Sequence, residues 1–594
     1  MTTKRRNVAI IAHVDHGKTT LVDQLFKQSG AFHNPDSIEE RLMDSLSLEK
    51  ERGITIQSKT GACFYNDHRI NIIDTPGHAD FGGEVERVLA MTDGVLFLVD
   101  AAEGPMPQSY FVLKKAVQHN LPIIVVMNKI DKPAARPDWV LDQVFDCLVQ
   151  LNAPDELLDF TTVYASAKEG FASADPTDRS GNMNIIFDTI IEKIPEPNAD
   201  LEHPFQFQIA SFSYSAFMGQ LCIGRIRSGK IAVNDEIIVM TGDTPGEKTR
   251  VTKLYQFKAN EQEEITTAIA GDIVAIAGVK TARIGDALCD PKNPIGLPGI
   301  HIDPPTLAIT FMANDSPFSG KEGEFVTPNH VYDRLDRAAL CDVALHVEKL
   351  PGERGINVSG RGELHLGILI ENMRREGYEF QCSKPNVILK EENGQKLEPY
   401  EVLTIDVSED LMGSVIEQLG YRKGNMQSME QEHGQVRLIY HIPSRGLLGY
   451  QAEFMMATKG TGVINYRFHE YGPYVGELRT RKQGVLISKE TCETVAYALY
   501  HLQPRGTLFV GPGVRVYKGQ IIGQHAKDDD LTVNAAKSKK LTNMRSAGAD
   551  DSLVLTPPKA MQLEDYLSFI DDTELVEFTP KSIRIRKKNL QQIS

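Results

Sequence analysis

Tryptophan is almost absent, one residue in 594, and the seven cysteines are scattered at positions 63, 147, 222, 289, 341, 382 and 492 with none spaced as Cys-x2-Cys. An odd, dispersed set excludes a disulfide framework and a zinc ribbon, and it points to a reducing, cytoplasmic setting. Long apolar runs are missing too. No stretch approaches the length of a membrane span, so no membrane partner is expected. The basic start Lys4-Arg5-Arg6 followed by Val8-Ala9-Ile10-Ile11 has the outline of a secretory leader, but His13, Asp15 and His16 interrupt the apolar run too early for one. Positive charge is also in deficit, with a net charge of −16. The deficit is uneven. From Arg481 to Ser594 there are 17 Lys and Arg against 13 Asp and Glu, which leaves −20 on the remainder. An acidic body with a mildly basic C-terminal region suits local contact with RNA better than wrapping of it.

What is present begins with Ala12-His13-Val14-Asp15-His16-Gly17-Lys18-Thr19, placed between an apolar run and the helical pattern Thr20 to Phe26. Strand, tight loop and amphipathic helix form the context a phosphate-binding loop requires. Gly17 lets backbone approach a phosphate, and loop N–H groups and the helix dipole attract the anion. Lys18 can reach β- and γ-phosphates, and the Thr19 hydroxyl can ligate Mg²⁺. The first position of the usual Gly-x4-Gly-Lys-Ser/Thr pattern is Ala12, and a glycine turn capping a helix would look the same in isolation.

Other parts of a nucleotide site follow in order. A polar segment, roughly residues 32 to 59, carries Arg52-Gly53-Ile54-Thr55-Ile56, where Thr55 is a candidate Mg²⁺ ligand. The strand Arg69 to Ile73 ends in Asp74-Thr75-Pro76-Gly77-His78; a carboxylate there can face the Mg²⁺ shell, and the Gly77 N–H can sense a γ-phosphate. The strand Pro122 to Met127 delivers Asn128-Lys129-Ile130-Asp131. Guanine offers two adjacent donors that one carboxylate accepts together, whereas adenine would set a lone pair against Asp131. Leaving a buried charged acceptor unpaired costs a few kcal/mol, so the site selects GTP over ATP. Asn128 can tie loops together, Lys129 can lie along the base, and Ser166-Ala167-Lys168 can supply a backbone N–H to the guanine oxygen.

The expected architecture is multidomain α/β plus β. Residues 1–197 alternate strands and helices as a doubly wound GTP-binding P-loop domain, and Pro195-Glu196-Pro197 closes it. Residues 202–303 show short strands broken by glycine, a small β-barrel. Residues 304–390 and 397–480 each read β-α-β-β-α-β, two ferredoxin-like α+β domains in tandem. Residues 481–594 form a distinct, mainly-β C-terminal domain. Within it residues 534–545 are basic and amide-rich without a clear period, which in a lone charge run is the mark of a solvated loop. The tail Lys581 to Lys588 alternates like a strand with one basic face.

These residues resemble the translational GTPases, the family of elongation factor G. The matching motifs are Ala12 to Thr19, Arg52 to Ile56, Asp74 to His78, Asn128 to Asp131 and Ser166 to Lys168, together with the barrel and the two ferredoxin-like domains. No long insertion interrupts the second sandwich where elongation factor G carries its tRNA-mimicking domain. The stretches Asp80 to Arg87, Pro443 to Gly449, Lys539 to Arg545 and Leu555 to Pro558 distinguish one branch of the family; the alternative branch, LepA, has a different C-terminal domain. The resemblance implies a ribosome-stimulated GTPase that converts GTP to GDP and phosphate with Mg²⁺, binds where elongation factor G binds, and serves large-subunit assembly and translation under cold or stress. Its partners would be rRNA, ribosomal proteins and A-site tRNA, with the protein a monomer away from the ribosome. By position, Asp15, His16, Gly17, Lys18, Thr19, Thr20, Asp74, Gly77, Asn128, Lys129, Asp131, Ser166, Ala167 and Lys168 would surround the nucleotide. Thr19 and Thr55 would ligate Mg²⁺, and Asp15 could help hold a monovalent cation. His78 would position the attacking water behind an apolar gate of Val14 and Ile54. Lys537, Lys539, Lys540, Asn543 and Arg545 would contact RNA near the acceptor end of the A-site tRNA. Two rivals remain open: a nucleotide-dependent assembly switch with little turnover, and a metal site using His13, Asp15, His16 and His78.

Overall fold

The computed structural model describes the chain except for residues 1–3, 14, 31–46, 53–54, 77–80, 199, 216–218, 260, 300–304, 343, 352–354, 433, 479–480, 482, 538–553 and 593–594. It divides into two compact units, residues 1–303 with 340–343, and residues 304–339 with 344–594.

The first unit opens with a seven-stranded sheet built from β1 (Lys4–Ala12), β2 (Lys59–Tyr65), β3 (His68–Asp74), β4 (Gly94–Asp100), β5 (Ile123–Asn128), β6 (Thr161–Ser166) and β7 (Phe171–Ser173) in the order β2-β3-β1-β4-β5-β6-β7. β1 pairs in parallel with β3 on one side and β4 on the other, so the strand order reverses there. β4 is buried at every position, as a parallel strand covered by helices on both faces must be. Val8, Ile10, Leu96 and Leu98 pack toward Leu21 and Leu25 of α1 (Lys18–Gln28) and toward Ile186 and Ile190. Ala9, Ile11, Phe97 and Val99 point to the other face, where Val85, Leu89, Leu113 and Val144 cover them.

The same unit holds the barrel, whose longest strands are Gln206–Ser215 and Gly219–Ser228, around Phe207, Ile226, Leu254, Val274 and Leu288. Two arginines of the second strand dock it on the nucleotide domain. Arg225 pairs with Asp93 at 2.7 Å and donates to the Met91 carbonyl at 3.2 Å, and Arg227 donates to the Ala90 carbonyl at 2.6 Å. These carbonyls end the helix Gly82–Met91, where the dipole favours cations.

In the second unit, the strands Leu307–Ala313, His346–Lys349, Gly355–Gly360 and Phe380–Cys382 lie in spatial order 2-3-1-4, with the helices Pro328–Cys341 and Glu363–Arg375 as crossovers. The Thr327 hydroxyl accepts the His330 N–H at 3.3 Å, the cap its position before Pro328 requires. The strands Gln395–Ser408, Asn425–Glu432, Gln435–Pro443 and Val463–Pro473 repeat the 2-3-1-4 order. Gly449, at φ 68°, breaks the helical stretch after Ser444 into Ser444–Leu447 and Tyr450–Ala457.

One feature departs from separate sandwiches. The first ferredoxin-like sheet does not end at Phe380–Cys382; it pairs antiparallel with Glu574–Phe578 and runs on through Ile583–Lys587 into the C-terminal strands. The seam holds a buried polar network: Glu577 accepts from Asn314 (2.9 Å), Ser316 (3.0 Å), Arg584 (3.0 Å) and the Tyr517 hydroxyl (2.8 Å). The tail strand does alternate, but its cations are committed internally. Arg584 pairs with Glu322 and Glu577, Arg586 is 2% exposed against Asp315 and Gln381, and Lys587 reaches Asp530 and Glu574. Three of the five cations between Lys581 and Lys588 are therefore tied into the fold, while Lys581 and Lys588 are exposed.

Candidate functional site

The phosphate loop leaves the carboxyl end of β1, where the strand order reverses and a doubly wound sheet opens its binding crevice. Two residues of the loop take the left-handed conformation, Asp15 at φ 64° and Gly17 at φ 93°. A Cβ on Gly17 would lie 2.5 Å from Asn128 Nδ2, so close approach as well as backbone angle demands glycine. α1 starts at Lys18, and the Leu21 N–H closes on the Gly17 carbonyl at 3.0 Å.

On the base side, Asn128 joins two loops. Its Nδ2 donates to the His16 carbonyl at 2.8 Å, and its Oδ1 accepts the Ala167 N–H at 2.9 Å. Lys129, at φ 61°, donates to the Asp15 carbonyl at 2.5 Å and pairs with Asp100 at 2.9 Å. Lys132 meets the same Asp100 oxygen at 3.0 Å. Burial pushes the Asp100 carboxyl up, but hydrogen bonds from Lys129, the Ala102 N–H and Lys132 outweigh it and bring the pKa down to about 2. Asp131 differs from all of these. Its Oδ1 is buried and accepts no hydrogen bond from any of the described residues.

On the phosphate side, Lys18 is buried, with Nζ 2.5 Å from Asp74 Oδ1, 3.2 Å from Thr55 Oγ1 and in hydrogen bond to the Thr75 carbonyl. Thr55 Oγ1 lies 3.5 Å from Asp74 Oδ2. The Thr75 hydroxyl donates to the Ile10 carbonyl at 2.7 Å, which ties the end of β3 to β1. Lys18, Thr55 and Asp74 come from three separate motifs, and the fold brings them to one point.

The other expected residues are placed as follows. Thr19 is half-buried in the first turn of α1, while Thr20, Asp15 and Lys168 are exposed. The His16 ring is wholly buried beneath the loop, in edge contact with His13 and with Nε2 3.6 Å from Glu103. Its Nδ1 lies 3.4 Å from the Asp100 backbone nitrogen. Ser166 is buried, and its hydroxyl accepts the Glu169 N–H at 3.3 Å. Val14, Ile54, Gly77, His78, Lys539, Lys540, Asn543 and Arg545 lie outside the described residues. Lys537 is described and exposed, and beside it Asn534 bonds Glu490 at 2.6 Å. Among the described residues no group of three His, Cys, Asp or Glu is arranged to hold a metal, and no helix is long and apolar enough to cross a membrane. Sequence reasoning missed Asp100 and Lys132. Asp100 carried a signal, a carboxylate at the end of an apolar strand as Asp74 is; Lys132 carried none.

Residues 3–196 match the Elongation factor Tu GTP binding domain, 219–289 the Elongation factor Tu domain 2, 395–482 the Elongation factor G C-terminus, and 483–592 the TypA/BipA C-terminal domain. A protein of Escherichia coli (strain K12) named Large ribosomal subunit assembly factor BipA is 52% identical over 594 residues, covering 100% of this chain and 98% of its own. The chain belongs to the TypA/BipA family. The BipA protein of Bacillus subtilis (strain 168), of the same name, is 49% identical over 589 residues, 99% of this chain and 96% of its own, and that of Haemophilus influenzae is 50% identical over 592 residues, 99% and 96%. A crystal structure from Thermus thermophilus superposes with a TM-score of 0.57 at 17% identity, over 80% of this chain and 98% of that one, which shows a shared fold. The match of residues 483–592 to the TypA/BipA C-terminal domain settles the branch.

Proposed function

We propose that this protein hydrolyses GTP to GDP and phosphate when stimulated by the ribosome, at the elongation factor G site, and acts in assembly of the large subunit and in translation under cold or stress. The observation that carries the reading is Asp131 Oδ1, a buried acceptor beside Asn128 and Lys129 with no donor among the described residues. Guanine would satisfy it with N1–H and the 2-amino group; adenine would not. The relatives' printed name, a large ribosomal subunit assembly factor, supports the cellular side.

Phosphoryl transfer of this kind depends on positioning and electrostatics more than on covalent chemistry. Lys18 neutralises charge on the phosphates, and the loop N–H groups orient them. Thr19 and Thr55 would hold Mg²⁺, with Asp74 behind them; the buried Thr55 and Asp74 oxygens beside Lys18 form an oxygen donor set that suits a hard divalent ion. When bound, the ion neutralises charge developing on the phosphate oxygens. His78 orients the attacking water once the ribosome releases it past Val14 and Ile54. The partners in this reading are rRNA, ribosomal proteins and A-site tRNA, met by a cytoplasmic protein that is monomeric off the ribosome, and the RNA-facing groups are Lys537, Lys539, Lys540, Asn543 and Arg545. The test is phosphate release from GTP and ATP with and without ribosomes. Turnover of GTP alone, raised by ribosomes, supports the reading; tight GTP binding with no stimulated turnover would make the protein an assembly switch.

A further inference from the structure

Thr55 belongs to no helix or strand, yet its hydroxyl stands within hydrogen-bond reach of Lys18 and Asp74. Something outside the ladders must hold it there. The two residues that follow it are gripped by one side chain: Glu49 Oε1 accepts the Ile56 N–H at 3.0 Å and the Gln57 N–H at 3.2 Å. Glu49 is fully buried, and its other oxygen pairs with Lys59 Nζ at 2.5 Å. Lys59 is the first residue of β2, and in the β2–β3 register it sits directly opposite Asp74. A closed path therefore runs from Asp74 across one strand pair to Lys59, through the Glu49 carboxylate, to the backbone carrying Thr55. A second tether lies beside it, where the Ser58 hydroxyl donates to Glu84 Oε2 at 2.7 Å.

We propose that Glu49 is a positioning residue that holds Thr55 at the Asp74–Lys18 point, so that the Thr55 hydroxyl is ready for Mg²⁺ when a γ-phosphate is present. The proposal rests on the reading of Thr55 as a Mg²⁺ ligand of bound GTP. A buried carboxylate that accepts two N–H bonds and one ammonium is held by charge-assisted bonds, the strong class. A segment with no ladder bonds would otherwise spend its conformational entropy in many positions, few of them with Thr55 correctly placed. Because the ligand role of Thr55 depends on the γ-phosphate, Glu49 matters for the triphosphate and not for GDP.

The test uses the full-length protein with GDP or a non-hydrolysable GTP analogue. In Glu49→Ala, amide exchange at Ile56 and Gln57 should accelerate at least about tenfold, the scale of one charge-assisted hydrogen bond. The Mg²⁺ concentration needed to retain the analogue should rise by about the same factor, with GDP affinity unchanged. Glu49→Gln keeps an acceptor oxygen and should restore most of the amide protection, which a general packing defect would not. Wild-type exchange at both amides in Glu49→Ala, or equal loss of GDP and analogue, overturns the proposal. Thr55→Ala separates the two layers. If it raises the Mg²⁺ requirement while Glu49→Ala does not, the clamp is wrong and the Thr55 reading stands; if neither does, the Thr55 reading fails and takes the clamp with it.

Discussion

Gly17 and Asn128 are fitted to each other across 111 residues of sequence: the asparagine amide occupies the space a Gly17 Cβ would need, at 2.5 Å, while it donates to the adjacent His16 carbonyl. The glycine of the phosphate loop and the asparagine of the base motif thus form one contact. Gly17→Ala should lower GTP and GDP affinity alike, by about tenfold or more, since it adds left-handed strain of roughly 1–2 kcal/mol and displaces Asn128. Nucleotide titration checks this, and circular dichroism of the variant should match wild type.

Asp131 is the second test of the base side. Asp131→Asn should weaken GTP binding by two orders of magnitude or so and improve xanthosine triphosphate binding, because the 2-oxo group of xanthine needs a donor. Competition between the two nucleotides reads it directly. Unchanged GTP affinity would remove the basis for guanine selection.

Asp100 makes a pH-dependent contribution. Its folded pKa of about 2 lies below the ordinary 3.8. A depressed acid stabilises the fold above its ordinary value and loses that stabilisation as pH falls through the folded one. Asp100→Asn should therefore cost about 2 kcal/mol near neutrality. The gap from wild type should close between pH 3.8 and about 2. Trp139, the single tryptophan, lies in the helix Pro137–Gln150 of this domain, so denaturation followed by its fluorescence reports the right unit.

His78→Ala should keep GTP binding and lose ribosome-stimulated turnover by about a hundredfold or more, the scale of a water-orienting group. Single-turnover hydrolysis on ribosomes measures it. A near wild-type rate would make His78 an ordinary loop residue.

Replacing Lys539, Lys540 and Arg545 with alanine should leave folding and GTP binding intact while weakening ribosome binding. Each lost phosphate contact removes released counterions, so the slope of log affinity against log salt should become shallower by roughly two to three units. Ribosome pelleting across a salt series checks this; an unaltered slope would leave these charges as solvated surface. The tail cations Arg584 and Arg586 serve as the contrast. They are spent on Glu322, Glu577 and Asp315, and alanine at Arg586 should destabilise the C-terminal sheet by about 1–3 kcal/mol through the buried Gln381 oxygen it leaves without a donor.

The nucleotide motifs were legible in the sequence because each is local. Gly17 with Lys18 and Thr19, Asp74 after an apolar strand, and Asn128 with Asp131 carry their chemistry within a few neighbouring residues. Both ferredoxin-like repeats and the barrel were legible for the same reason, since periodicity and turn residues act over short range. What tertiary structure alone decided is which charges meet. Nothing near Lys581 to Lys588 announces that Arg584 is paired with Glu322, some 262 residues earlier, so the strand reads as basic when it is neutralised. Nothing near Phe380–Cys382 announces that its free edge is taken by Glu574–Phe578, because an edge strand's hydrogen bonds carry no mark of their partner. The Glu49 carboxylate and the Asp100 cluster are of the same kind: a buried charge is defined by its neighbours in space, and those are set only when the chain has folded.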